Sequence, residues 1–109
     1  MKPMINALEK MLDGPRDNAM LRFSLGNAWL DENADTAVNY YRDALRMDPD
    51  YSAAWRALGK ALESAERPDE AMEAYRRGIT VAENRGDKQA AKEMTVFARR
   101  LEKRTRPNS

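Results

Sequence analysis

Two octets of this chain are near-copies of one another: RFSLGNAW at residues 22–29 and WRALGKAL at 55–62. Leu25-Gly26 returns as Leu58-Gly59, 33 residues later. Ala37, Tyr41 and Ala44 return as Ala71, Tyr75 and Gly78, 34 residues later. The offset grows by one because WLDENADTA in the first copy is a residue shorter than its counterpart LESAERPDEA. A period near 34 with two helical runs in each unit means helix pairs stacked side by side. The glycines carry the constraint. A glycine inside a helix costs roughly 1 kcal/mol relative to alanine, so its return in the same place asks for a steric reason. Gly26 and Gly59 are expected to leave room where the paired helix crosses, with Ala37 and Ala71 doing the same from the other side.

Apolar residues recur at helical spacing through nearly the whole chain. Leu21, Leu25, Ala28 and Trp29 share one face, with Asp17 as the expected N-cap. Ala37, Tyr41, Ala44 and Leu45 share the next, which Asp48-Pro49 ends because a residue before proline is biased away from helix. Trp55, Leu58 and Leu62 line a third run; Ala71, Tyr75, Gly78, Ile79 and Ala82 line a fourth. Pro68 suits a first turn, Asp69 and Glu70 suit the positive end of the helix dipole, and Gly86 suits a terminator. Ala90, Met94, Phe97 and Leu101 form a last stripe. β-branched residues never alternate with polar ones, which argues against strands.

The expected layout is a single domain: a helix over 1–14, a first repeat over 18–49, a second over 50–84, a capping helix over 87–105, and a loose tail over 106–109. Moving the first repeat back by 33 places Met4, Leu8 and Met11 at Ala37, Tyr41 and Ala44, so the first helix reads as the second half of a preceding unit. The last helix aligns at an offset of 35, where only Phe97 suits the pattern. A cap is what the end of a repeat array requires. Trp55 is expected to be buried between repeats.

These residues resemble the tetratricopeptide repeat, whose pattern is W-x2-L-G-x2-Y, then A-x3-F, then P. The second copy supplies Trp55, Leu58, Gly59, Ala71 and Tyr75, with Leu62 in place of the tyrosine and Glu83 in place of the proline. The first supplies Leu25, Gly26, Trp29, Ala37, Tyr41 and Pro49, with Arg22 where a tryptophan is expected. The resemblance implies an all-α fold: a short right-handed α-solenoid of antiparallel helix pairs, about six helices in all. It further implies a concave groove, lined by the first helix of each pair, that binds a peptide or helix of another protein. By register, the groove positions are Met20, Phe23 and Asn27 in the first copy and Arg56 and Lys60 in the second. Lys88, Lys92 and Arg99 follow in the last helix. Such a groove offers an apolar patch and then a cationic stretch, suited to a partner with an apolar anchor and an acidic part. Some family members grip a terminal carboxylate; Asn27, Lys88 and Lys92 match such positions, while Phe23 and Ala57 stand where a lysine and an asparagine are expected.

Composition narrows the chemistry. The chain has no cysteine and no histidine, which removes disulfides, thiolate chemistry and the commonest general base and metal ligand. Glu63 with Glu66, and Asp69 with Glu73, are expected on exposed helix faces, and a catalytic carboxylate pair needs an enclosed site. No catalytic residue, metal site or cofactor is expected. Charge is uneven: residues 1–82 carry 11 basic and 14 acidic side chains, residues 83–109 carry 8 and 4. The basic end, from Arg99 and Arg100 to Lys103, Arg104 and Arg106, could meet nucleic acid or an acidic partner. A net charge of only +1 and the lack of interleaved aromatics argue against nucleic acid. The reading is a non-enzymatic cytoplasmic adaptor without a membrane span. The alternative is a subunit that self-associates, with Trp29, Tyr40 or Tyr51 as exposed aromatic surface for a homodimer.

Overall fold

The computed structural model describes residues 2–106. Six helices follow one another: α1 (Lys2–Glu9), α2 (Ala19–Trp29), α3 (Ala34–Met47), α4 (Ser52–Ser64), α5 (Pro68–Asn84) and α6 (Lys88–Thr105). No strand occurs among the described residues. Each helix packs on the next, and α4 also touches α6. The result is a two-layer stack of 48 × 30 × 18 Å, with α2, α4 and α6 in one layer and α1, α3 and α5 in the other. The pairs α2/α3 and α4/α5 are the two copies.

The glycine question has a direct answer. A Cβ added to Gly26 would fall on the ring of Tyr41, 2.6 Å from Cδ1, and one added to Gly59 would fall on the ring of Tyr75, again 2.6 Å from Cδ1. The space is taken by the tyrosine itself, in both copies. Both tyrosines are fully buried, and burial pushes the Tyr41 hydroxyl up to about 12. Their hydroxyls reach past the glycine to acceptors on the paired helix: Tyr41 donates to Asn27 Oδ1 at 2.6 Å, and Tyr75 donates to Glu63. A third close approach joins the stack. A Cβ on Gly78 would lie 2.7 Å from Trp55 Cβ and against Met94, so α4, α5 and α6 meet there.

Helix ends follow local chemistry, with one change from expectation. Asn18, not Asp17, caps α2: Asn18 has extended backbone and its Oδ1 accepts from the Leu21 N–H at 2.8 Å. Asp17 is occupied elsewhere, accepting from the Asp13 N–H at 2.8 Å and from Arg22 Nη2 at 2.6 Å. Asn33 and Asp87 cap α3 and α6 in the same manner. Pro68 opens α5, and Gly86 follows its end with φ +76°.

Three expectations about the core need correction. Ile5 is the buried residue of α1, whereas Met4 is half exposed; α1 ends at Glu9, so Met11 lies in the following turn. Trp55 is half-buried rather than enclosed, because its indole lies along an open cleft and donates to the Pro49 carbonyl at 2.8 Å. On α6 the buried face is Ala91, Met94, Ala98 and Leu101, while Ala90 and Phe97 are only partly covered. The helix starts explain this last difference. Ser52 and Lys88 open α4 and α6, an offset of 36 that sets Met94 at the place of Leu58 and Thr95 at that of Gly59. Of the tail, Arg106 caps α6 with extended backbone; residues 107–109 lie outside the described residues.

Candidate partner-binding face

The residues expected to line a groove sit on α2, α4 and α6, and the structure gives them unequal surroundings. Met20 is two-thirds exposed, at 66%. Phe23 is half-buried, with its ring 5.8 Å from Tyr41 and 5.0 Å from Tyr51. The apolar patch is therefore a single exposed methionine beside an aromatic cluster. Asn27 is exposed and holds the Tyr41 hydroxyl. Lys88, Lys92 and Arg99 are exposed on α6. With α4 and α6 offset by 36, Lys92 corresponds to Arg56 and Arg99 to Glu63. Lys88 corresponds to Ser52, at the helix start rather than among the groove positions.

Arg56 and Lys60 lie where α4 meets α6. Arg56 pairs with Glu93 across the two helices at 3.8 Å. Lys60 Nζ stands 3.9 Å above the Phe97 ring, which packs on Tyr75 at 5.8 Å. Beside them opens a cleft of about 450 Å³ lined by Lys60, Glu63, Phe97, Arg100, Lys103 and Arg104. Glu63 is its one carboxylate. That carboxylate accepts from Tyr75, and it pairs with Arg104 at 2.6 Å. Burial first, and the Glu63 contact second, push the Tyr75 hydroxyl well above the ordinary phenol range. Four cations thus face one anion that is already engaged. An anionic group entering here would meet Arg100 and Lys103 without displacing a carboxylate.

Sequence reasoning placed Arg100, Lys103 and Arg104 in a basic run without giving them a site, and placed Phe97 in the core. Helical spacing from Phe97 to Arg100 and Arg104 carried the signal; the offset of 35 obscured it. The aromatic residues set aside for self-association are not free surface. Trp29 and Tyr40 are half-buried and both donate to Glu9 Oε2, at 3.2 and 2.7 Å. Burial, then the Glu9 hydrogen bond, raise the Tyr40 hydroxyl to about 12. Tyr51 is half-buried against Phe23. Among the described residues no cluster of acidic side chains could hold a metal ion, and no helix is long and apolar enough to cross a membrane.

A tetratricopeptide repeat family model matches residues 31–91, which take in the second half of the first copy, the whole second copy and the start of α6. A TPR repeat-containing protein of Pseudomonas aeruginosa is 46% identical over 101 residues, covering 92% of this chain and 96% of its own. The chain belongs to the tetratricopeptide repeat family. The solution structure of a Bordetella parapertussis protein is 40% identical, with a TM-score of 0.81 over 95% of this chain and 91% of that one. A tetratricopeptide repeat domain protein from Salinibacter ruber is 28% identical, with a TM-score of 0.77 over 89% and 97%. Tetratricopeptide repeats are protein–protein interaction modules, and the all-α repeat fold of this chain is theirs.

Proposed function

We propose that this chain is a non-enzymatic adaptor that holds an acidic peptide or helix of another protein along the face of α2, α4 and α6. The observation that carries this reading is the cleft between α4 and α6, where Lys60, Arg100, Lys103 and Arg104 surround one engaged carboxylate. Phe97 gives the cleft an apolar floor, and Lys60 above the ring lies ready to meet an incoming carboxylate. Phe23 with Met20 offers the apolar contact farther along the same layer. Binding energy then comes from a few apolar contacts, with charge complementarity setting selectivity and association rate. No long-lived rearrangement is called for, since every cation named is on a helix surface. Preformed sites of this kind lose little to ordering.

The test uses fluorescein-labelled peptides rich in Asp and Glu, followed by anisotropy. Arg56→Glu with Lys60→Glu should weaken binding at least severalfold while the circular dichroism spectrum is kept. Unchanged binding, or equal binding of Lys-rich peptides, rejects the assignment. Retention of RNA that falls steeply with salt would move the basic face to a nucleic-acid role.

A further inference from the structure

Two helices of the stack lack the partner that the others have. The units α2/α3 and α4/α5 each hold a first and a second helix. By register, α1 is a second helix, and no first helix of its own unit packs on it among the described residues. By register, α6 is a first helix without a second helix of its own unit. Exposed apolar groups gather at these two ends. Of the large ones, Met4 is on α1, Met20 on α2 and Val96 on α6; only Met47 lies elsewhere among the described residues. Met4 is half exposed, whereas Ala37 and Ala71, its counterparts in the complete units, are fully buried.

The side chains at these two faces fit one another in size. In α4/α5 the large groups, Trp55 and Leu62, stand on the first helix, and the small Ala71 and Gly78 on the second. On α6 the places of Trp55 and Leu62 are held by Ala91 and Ala98. On α1 and the turn after it, those of Ala71 and Gly78 are held by Met4 and Met11. The bulk has changed sides. The glycine–tyrosine contact changes with it. Tyr75 fills the space of a Cβ at Gly59; Thr95 stands in the place of Gly59, and Leu8 in that of Tyr75. A shorter side chain on α1 leaves room for a longer one on α6.

Charge agrees with size. α4 meets α6 through Glu63 and Arg104, with Arg100 beside them. One junction farther, Arg99 takes the place of Glu63, and Asp31, at the end of α2 in a second copy, takes that of Arg100. The signs are exchanged and still opposite. Arg99 and Asp31 are exposed, and neither forms an ion pair among the described residues. Val96 takes the place of Lys60, which lies against Phe97 of the next first helix. Two α6 helices facing each other would instead set Lys92 and Arg99 against like charges.

We infer that a second copy of this chain docks head to tail. Its α1 packs on α6 as the missing second helix, and its α2 follows as the next first helix. Such an interface joins two different surfaces, so each copy keeps one open end and copies add in a row. The α4–α6 cleft is not part of this interface.

The experiment follows the weight-average mass of the full chain by light scattering as its concentration rises to millimolar. The mass should climb past that of a dimer without levelling. Met4→Glu and Val96→Glu are exposed changes at opposite ends. Each should give a monomer whose circular dichroism spectrum is that of the native chain. Mixed in equal amounts, the two should form a dimer and nothing larger, since each keeps the end that the other has lost. Arg99→Glu should weaken association severalfold, and Asp31→Lys in the same chain should restore it. A monomer mass at every concentration overturns the proposal. So does a mass that stops at the dimer, or either end variant associating alone, because the interface would then pair like surfaces. A mixture of the two end variants that stays monomeric overturns it as well.

Discussion

Gly59 and Tyr75 form one contact seen from two sides, and their substitutions should not be independent. Alanine at 59 improves helix propensity by roughly 1 kcal/mol. Its methyl would overlap a ring that is fully buried, anchored at its hydroxyl by Glu63 and backed by Phe97. Overpacking of this kind costs about 1–3 kcal/mol, so Gly59→Ala should destabilise in a urea titration. In a Tyr75→Leu background the same change should cost far less, or stabilise. Additive effects would mean that the two residues do not share the space. A second residue-scale case is Asp17. Its hydrogen bonds from Arg22, then from the Asp13 N–H, lower its carboxyl from 3.8 to about 2. A carboxyl lowered by folding adds stability that is complete above its unfolded value and fades as pH falls toward the folded one. The stability advantage of the native chain over Asp17→Asn should therefore be full at neutral pH and shrink between about pH 4 and 2. A difference that is constant with pH would contradict the ion pair.

At the scale of elements, α4 and α5 end in the same motif with different residues. After α5, Asp87 N–H bonds to the Ala82 carbonyl at 2.8 Å and Gly86 N–H to that of Glu83 at 3.1 Å. After α4, Arg67 bonds to Leu62 at 2.9 Å and Glu66 to Glu63 at 3.0 Å. Both are Schellman ends, which place the residue after the cap in left-handed backbone. Gly86 takes φ +76° freely, whereas Glu66 takes φ +59° with a side chain. The left-handed conformation costs a side-chain-bearing residue roughly 1–2 kcal/mol, and glycine's extra freedom when unfolded returns roughly 0.5–1. Glu66→Gly should raise stability by about 0.5–1 kcal/mol in denaturant titration; a loss would show that Glu66 contributes through its side chain. Nothing in ESAERPDE announces this turn, because the residue that would signal it is not a glycine. The paired helices, by contrast, were legible residue by residue, since Leu-Gly and Ala-x3-Tyr recur at fixed spacing. The α6 offset was not legible, because Met94 and Thr95 replace the leucine and glycine that mark the register elsewhere.

Across the whole molecule, one packing unit is used twice and filled differently. Gly26 with Tyr41 and Gly59 with Tyr75 hold the backbone geometry constant, and neighbouring positions are then free to vary. Arg22 amid three aspartates occupies the place of Trp55 beneath Arg77. The architecture follows from the positions that repeat, and so could be read from the chain. The binding character follows from those that do not. The α4–α6 cleft depends on Arg104 reaching Glu63, 41 residues away. That contact has no periodic signature, so it became visible only with the helices in place.

The measurement that bears most directly on this account is proton NMR at the two glycines. The structure predicts that one Hα of Gly26 and one of Gly59, each in the place of a side chain, shift upfield and give strong cross-relaxation to the ring protons of Tyr41 and Tyr75, respectively. Glycine Hα signals at ordinary positions, with no transfer to either ring, would contradict the nested hairpins and the α4–α6 cleft built on them.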